Sequence, residues 1–269
     1  MIPIALTIAG SDSSGGAGVQ ADLKTFSALG VYGASVITAL TAQNTRGVQA
    51  VFGVEPDFVE QQIKSVFDDL TVGAVKIGML GTAETIEAVA RGLGSAKPRW
   101  VVLDPVMVAK SGDRLLADEA VAALIRHALP LASIITPNLP EAAVLIDRPV
   151  PTSRGKMPPV AAQLQDLGPA NVLLKGGHLE TDESPDLLMH GGELIWLEGE
   201  RTQTKNTHGT GCTLSSAIAA YLARGETLPG AVARAKAYVD GAIRAADTLE
   251  VGGGHGPVHH FHGLWQEVS

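Results

Sequence analysis

One cysteine in 269 residues excludes an internal disulfide, so packing, hydrogen bonds and charge must hold this chain together. A lone thiol leaves a reducing compartment open. Aromatic residues are scarce, at 4% against 45% hydrophobic residues overall, so small aliphatic side chains must fill the interior, as suits helices packed closely on buried parallel strands. Positive charge is in deficit. Lys and Arg number 20 against 28 Asp and Glu, a net charge of −8, and this excludes the basic footprint of a nucleic-acid binder. No apolar run reaches the roughly 20 residues that cross a bilayer. The start, "MIPIALTIAG", is too short for a signal peptide and lacks its basic flank. Internal repeats and low-complexity tracts are missing, and so is the Gly-x4-Gly-Lys-Ser/Thr pattern of a phosphate-binding P-loop. These absences point to a soluble cytoplasmic protein of one domain, residues 1–269, with no nucleic-acid or membrane partner.

What the chain does have is glycine, 31 residues of it, punctuating short apolar runs that alternate with amphipathic segments. That rhythm is the signature of βαβ units and a mostly parallel sheet with helices on both faces. "PIALTIAG" reads as the first strand, and "GVQADLKTFSALG" as a helix with Val19, Leu23, Phe26 and Leu29 at helical spacing and Gly30 as its stop. "GASVITALTAQN" reads as the next strand, followed by a helix from Pro56 through "DFVEQQIKSVFDDL". The alternation continues through "GAVKIGML", "TAETIEAVARGLG", "WVVLDPVMV", "DEAVAALIRHAL", "SIITPN", "LPEAAVLI", "VAAQLQDLG" and "NVLLKGGH". Two stretches break it. Residues 147–159, "DRPVPTSRGKMPP", hold four prolines and read as a surface connection. "LLMHGGELIWLEGER" reads as an antiparallel hairpin around a His-Gly-Gly turn.

Ligands of an open parallel sheet bind beyond the carboxyl ends of its strands. In this chain those ends carry most of the unusual residues. "AGSDSSGGAGVQAD" superficially fits a dinucleotide fingerprint at Gly16, Gly18 and Ala21, but the turn is too long and "VITALTAQN" supplies no ribose-binding acid. Its run Ser11, Asp12, Ser13, Ser14 suggests instead a polar loop over a pocket. "GTGC" puts Gly209 and Gly211 before Cys212 and an Ala-rich helix, where backbone N–H groups and the helix dipole can hold an anion or an oxyanion in transit. A glycine-rich helix start without a ligand is equally common. The same dipole would favour a Cys212 thiolate, although a lone cysteine is more often a small buried hydrophobe.

Asp104 ends an apolar strand, a costly place for a carboxylate without a partner or a metal. Asn138 and Glu141 are spaced for one side of a first helical turn, suited to magnesium and phosphate or to a capping box, and both can hold together. Lys175 closes another apolar strand beside two glycines, which suits a nucleotide phosphate or a lysine reaching for solvent. The tail "GGGHGPVHHFHG" has four histidines without a zinc spacing and reads as a structural segment.

Together "AGSDSSGGAGVQADLKTF", "TALTAQNT", "KIGML", "LDPVMVAKSGDRLL", "TPNLPEAA", "LLKGGH", "TKNTHGTGCTLSSAIAA" and "GPVHHF" cover almost the full chain in order. They resemble the bacterial hydroxymethylpyrimidine/phosphomethylpyrimidine kinases of thiamine biosynthesis, in the ribokinase-like superfamily. The resemblance implies a three-layer α/β/α ribokinase-like fold with a mostly parallel central sheet, a homodimer, ATP as co-substrate and Mg2+. It implies two successive phosphorylations, of 4-amino-5-hydroxymethyl-2-methylpyrimidine and then of its monophosphate to the pyrophosphate. By position, Gln43 with Gly10, Met79 and Val106 would bind the pyrimidine. Lys175 and Asn138 would bind ATP, Glu141 and Asp104 the metal, and Gly209, Gly211 and Cys212 would form the anion hole at the catalytic centre. A carboxamide has the donor and acceptor that a flat aminopyrimidine needs, and Met79 offers a deformable apolar contact. Many sugar kinases of the superfamily carry Asp as general base where this chain has Cys212, and a thiol must be shifted down to serve there at neutral pH. The alternatives are a pyridoxal kinase on the same fold, which Gln43 and Met79 mildly disfavour, and a non-catalytic ligand-binding relative, for which a broken site would be expected.

Overall fold

A computed structural model describes residues 2–107, 117–179, 181 and 183–265. Its centre is an eight-stranded sheet made of β1 (Ile4–Ala9), β2 (Tyr32–Ile37), β5 (Ala74–Ile77), β6 (Val101–Leu103), β7 (Ile134–Ile135), β8 (Val172–Leu174), β9 (Asp186–His190) and β10 (Glu193–Leu197). Across the sheet the order is β10-β9-β8-β7-β6-β5-β1-β2. Strands β2 and β5 to β8 run parallel with β1, while β9 is antiparallel to β8 and β10 antiparallel to β9. The expected hairpin is therefore present, turning through Gly191 and Gly192, both at positive φ.

Residue alternation on the strands divides the core in two. Leu6, Ile8, Val75, Ile77, Val101 and Leu103 pack on one face, under α2 (Pro56–Asp69), α3 (Ala83–Ala96), α4 (Asp118–Ala123), α5 (Leu139–Leu145) and α6 (Met157–Gln165). Ala5, Ala74, Val102 and Ile134 face α7 (Thr210–Ala223) and α8 (Leu228–Arg244), with Phe26 of α1 (Gly18–Ala28) in the same cluster. The three-layer α/β/α expectation is met.

The structure corrects the element order in three places. "GASVITALTAQN" is two strands: after β2 the chain leaves the main sheet as β3 (Ala39–Asn44), which pairs with β4 (Gly47–Gly53) in a separate two-stranded antiparallel ribbon. One apolar-polar alternation runs through both, so the sequence pattern carries no break. The proline-rich stretch is only partly a connection, because Met157, Pro158 and Pro159 open α6, where a first turn needs no N–H from proline. The long helix α8, capped by Thr227, carries Pro229 and Gly230 in its own first turn, and these obscure its start. Part of "LDPVMVAKSGDRLL", residues 108–116, lies outside the described residues, as does the end of the strand expected at "WVVLDPVMV".

One polar cluster crosses the second layer. Thr7 on β1 and Lys76 on β5 are register partners, both wholly buried, and both meet Asp22 of α1. Asp22 accepts from Lys76 Nζ at 2.8 and 2.9 Å, from Thr7 Oγ1 at 2.6 Å and from Ser216 Oγ of α7 at 2.6 Å. With the carboxylate so close the Lys76 ammonium is held above its ordinary pKa despite its burial. Stranding one buried charge costs about 3–5 kcal/mol. Urea denaturation should therefore show Asp22→Asn strongly destabilised, and adding Lys76→Met should restore a large part of the loss. A double variant no more stable than the single one would rule out the pair as a unit.

Candidate active site

The carboxyl ends of β1, β5, β6, β7 and β8 open on one edge of the sheet, and the turn entering α7 closes over them. Asp104, directly after β6, is 2% exposed and accepts from Thr136 Oγ1 at 3.1 Å and Lys175 Nζ at 3.1 Å. Lys175 follows β8, and an isolated parallel bridge sets it beside Asn138, after β7. Asn138 and Glu141 do form a capping box: Glu141 N donates to Asn138 Oδ1 at 2.8 Å, and Asn138 N donates to Glu141 Oε2 at 2.8 Å. Burial pushes the Glu141 carboxyl up, Lys175 opposes this, and Asp104 pushes it further up. Burial lowers the Lys175 ammonium, but Asp104 and Glu141 more than offset it, so the net shift is upward.

Gly211 sits on this group. A Cβ there would stand 3.3 Å from Asp104 Oδ2 and 3.4 Å from Lys175 Nζ. First-turn N–H groups of a helix have no intrahelical partner, so the amides of Gly211 and Cys212 are available to an anion beside the lysine. Gly209, at φ 79°, lies so close to Gly16 O that any side chain would collide. The "GTGC" turn is thereby locked onto the loop after β1.

That loop forms the other end of the site. Gly10 packs against the Met79 methyl, and Thr38 Oγ1 donates to Met79 O at 2.7 Å. Ser13 Oγ exchanges hydrogen bonds with the Gln43 backbone, donating to O at 2.8 Å and accepting from N at 2.9 Å. Asp12 is not a surface group of a polar loop: it is 1% exposed and accepts from Ser14 N and Oγ, Gly16 N, Ala17 N and His208 Nε2. Burial alone would raise its pKa, yet the hydrogen bonds from His208 and Ser14 hold it at about 2. Val106 lies farther along the same edge, its amide donating to Asp104 O at 2.8 Å.

Cys212 lies between the two ends, one turn before Ser216 on α7. Its thiol is pushed up to about 11, chiefly by burial, with Lys76 lowering it and Asp22 and Asp104 raising it. The helix-start expectation of a thiolate is thus reversed, because desolvation exceeds the dipole. Three residues escaped the sequence reading: His208, which joins Asp12 to Gln43, and the pair Lys76 and Asp22 beneath Cys212. The signal for His208 was its place directly before Gly209. The histidine-rich tail packs as structure. His260 contacts Thr213 Oγ1 at 3.2 Å, and burial holds it down at about 3, with Lys24 and neighbouring histidines adding to that.

An ammonium, two carboxylates and the free amides of a helix start, with a thiol on the same turn, suit phosphoryl transfer, which asks mainly for positioning and charge stabilisation. The sequence matches the family model described as phosphomethylpyrimidine kinase over residues 12–259. It is 58% identical over 267 residues to the hydroxymethylpyrimidine/phosphomethylpyrimidine kinase of Rhizobium meliloti strain 1021, covering 99% of this chain and 100% of that one. Among solved structures it is similar to the phosphomethylpyrimidine kinase of Clostridium difficile 630, at 46% identity and TM-score 0.80, over 90% of this chain and 100% of the other. It is also similar to the ADP complex of Bacillus subtilis pyridoxal kinase, at 37% identity and TM-score 0.91, over 99% and 100% of the two chains. The chain belongs to the phosphomethylpyrimidine kinase family.

Cys212 being the sole cysteine, its ionisation can be read directly. A raised pKa favours the protonated thiol at every pH below it. Alkylation by iodoacetamide should be slow at pH 7 and should rise without a plateau up to pH 10. A plateau at or below pH 9 would show a thiol that is not raised.

Proposed function

We propose that this protein transfers the γ-phosphoryl group of ATP to the hydroxymethyl oxygen of 4-amino-5-hydroxymethyl-2-methylpyrimidine, and then phosphorylates the monophosphate to the pyrophosphate for thiamine diphosphate synthesis. The near-full-length identity to a kinase of that name supports this reading. The observation that carries the chemistry is the Asp104–Lys175 pair set against Gly211 at the start of α7.

On this reading Gly10, Gln43, Met79 and Val106 hold the heterocycle, and Lys175 with Asn138 holds the nucleotide phosphates. The amides of Gly209, Gly211 and Cys212 cradle the phosphoryl group in transit. Magnesium fits the donor set: it takes one or two carboxylates and completes its shell with water and phosphate oxygens. Glu141 and Asp104 supply those carboxylates, and their mutual repulsion and burial leave an acidic site that Lys175 does not fully neutralise. When bound, the ion would neutralise charge on the phosphates. Cys212 faces the attacking hydroxyl. Holding its own proton at neutral pH, it orients that hydroxyl; a loose phosphoryl-transfer transition state needs little proton removal in advance.

Residues 1–269 act here as one ribokinase-like domain working as a homodimer. Support for the dimer comes from the β3–β4 ribbon, which leaves Leu40, Val51 and Phe52 exposed. An ATP-consuming biosynthetic step with a reduced thiol at its centre fits the cytoplasm.

The direct test compares hydroxymethylpyrimidine, its monophosphate and pyridoxal as acceptors of phosphate from ATP. Both pyrimidines should turn over, and failure of both would sink the proposal. Cys212→Ala should lower kcat about a hundredfold with little change in KM for ATP. Unchanged turnover would give Cys212 a packing role.

A further inference from the structure

Three polar groups meet at the substrate end of the site in a way that leaves one arrangement of hydrogens. Asp12 accepts from the backbone and side chain of Ser14 and from the amides of Gly16 and Ala17, which only a carboxylate can do throughout. His208 Nε2 stands 2.8 Å from Asp12 Oδ2, so that nitrogen carries a hydrogen and donates it to the carboxylate. The imidazole is 8% exposed and lies on Gly16, where a Cβ would come within 2.5 Å of His208 Cδ2. It is packed between that glycine and the Asp12 carboxylate.

The Gln43 carboxamide reaches both His208 and Thr41. One end lies 3.4 Å from His208 Nε2 and the other 3.2 Å from Thr41 Oγ1. The two ends exchange by a half-turn, so the surrounding donors and acceptors decide between them. Nitrogen toward His208 would set two donors face to face, whereas an oxygen there shares the Nε2 hydrogen that Asp12 already holds, as the longer branch of a three-centre bond. Thr41 meanwhile donates its own hydrogen to Ser11 O at 2.9 Å and has a lone pair free for an N–H. Both neighbours thus select the amide with its oxygen toward His208 and its nitrogen toward Thr41.

We propose that His208 is a positioning residue that fixes this orientation of Gln43, so that the enzyme presents a set hydrogen-bond polarity to the edge of its heterocyclic substrate. The inference rests on the reading of Gln43 as a substrate contact. Glycines at 10, 16 and 18 let the loop fold tightly enough for Asp12 to hold His208, and the Gly209 turn carries His208 onto it. The phosphate cradle and the substrate selector are thereby built on one turn.

The test is steady-state kinetics with hydroxymethylpyrimidine. Gln43→Ala should raise KM for the pyrimidine about tenfold, the worth of one hydrogen bond, with KM for ATP unchanged. His208→Ala should do the same, with kcat changed much less than KM, and the double variant should be no worse than Gln43→Ala alone. His208→Gln places an N–H close to the position of Nε2 and should recover most of the loss. If His208→Ala does not fold, as judged by thermal melting, Thr41→Val removes the other anchor of the amide and should raise the same KM. An unchanged KM in Gln43→Ala would overturn the substrate reading and this inference with it. A raised KM there, combined with multiplicative losses in the double variant or no recovery in His208→Gln, would overturn the inference alone. With Thr41→Val as the only usable variant, an unchanged KM would do so too.

Discussion

Four elements meet on the carboxylate of Asp22. Through it α1 is tied to β1 by Thr7, to β5 by Lys76 and to α7 by Ser216, all inside a region with no access to water. A buried ion pair contributes little net stability but is intolerant of losing a member, so it specifies one arrangement of the elements it joins. Here it fixes the relation between two adjacent strands and the helix that bears Cys212. Ser216 is one turn beyond Cys212 on the same side of α7, so the height of the helix over the strand ends is set from below. The amides of Gly211 and Cys212 depend on that height for their approach to Lys175.

The same cluster accounts for the state of the thiol. A helix start favours a thiolate where water or a cation can follow it, but Cys212 lies over a cluster whose positive charge is already matched by Asp22, with Asp104 nearby. Desolvation then dominates. Two carboxylates, one ammonium and a protonated thiol so placed fit the proposed chemistry, in which charge placement on the phosphates matters more than a strong base.

Much of this was legible along the chain. The βαβ alternation gave the layers, because a parallel sheet buried on both faces imposes apolar strands and one-sided helices on its sequence. The strand ends could be picked out as the candidate site because Asp104, Lys175 and Asn138 interrupt apolar runs where a charge or amide needs a partner. The β3–β4 ribbon escaped because leaving a sheet does not change the alternation of side chains, and α8 escaped because Pro229 and Gly230 at its start read as a turn. His208 and Lys76 escaped for a different reason. Their partners, Asp12 and Asp22, are 196 and 54 residues away, and no local pattern marks such a pair.

The sequence by itself determined the fold class, the family and the residue types at the strand ends, since these follow from local periodicity and from motifs of consecutive residues. Tertiary structure alone decided which of them touch and in what state: that Glu141 serves as a helix cap and an elevated carboxyl together, that burial raises the Cys212 thiol, and that a histidine next to the Gly209 turn reaches across to Gln43. Those properties depend on burial and on distances between groups far apart in the chain, and both arise only when the layers close.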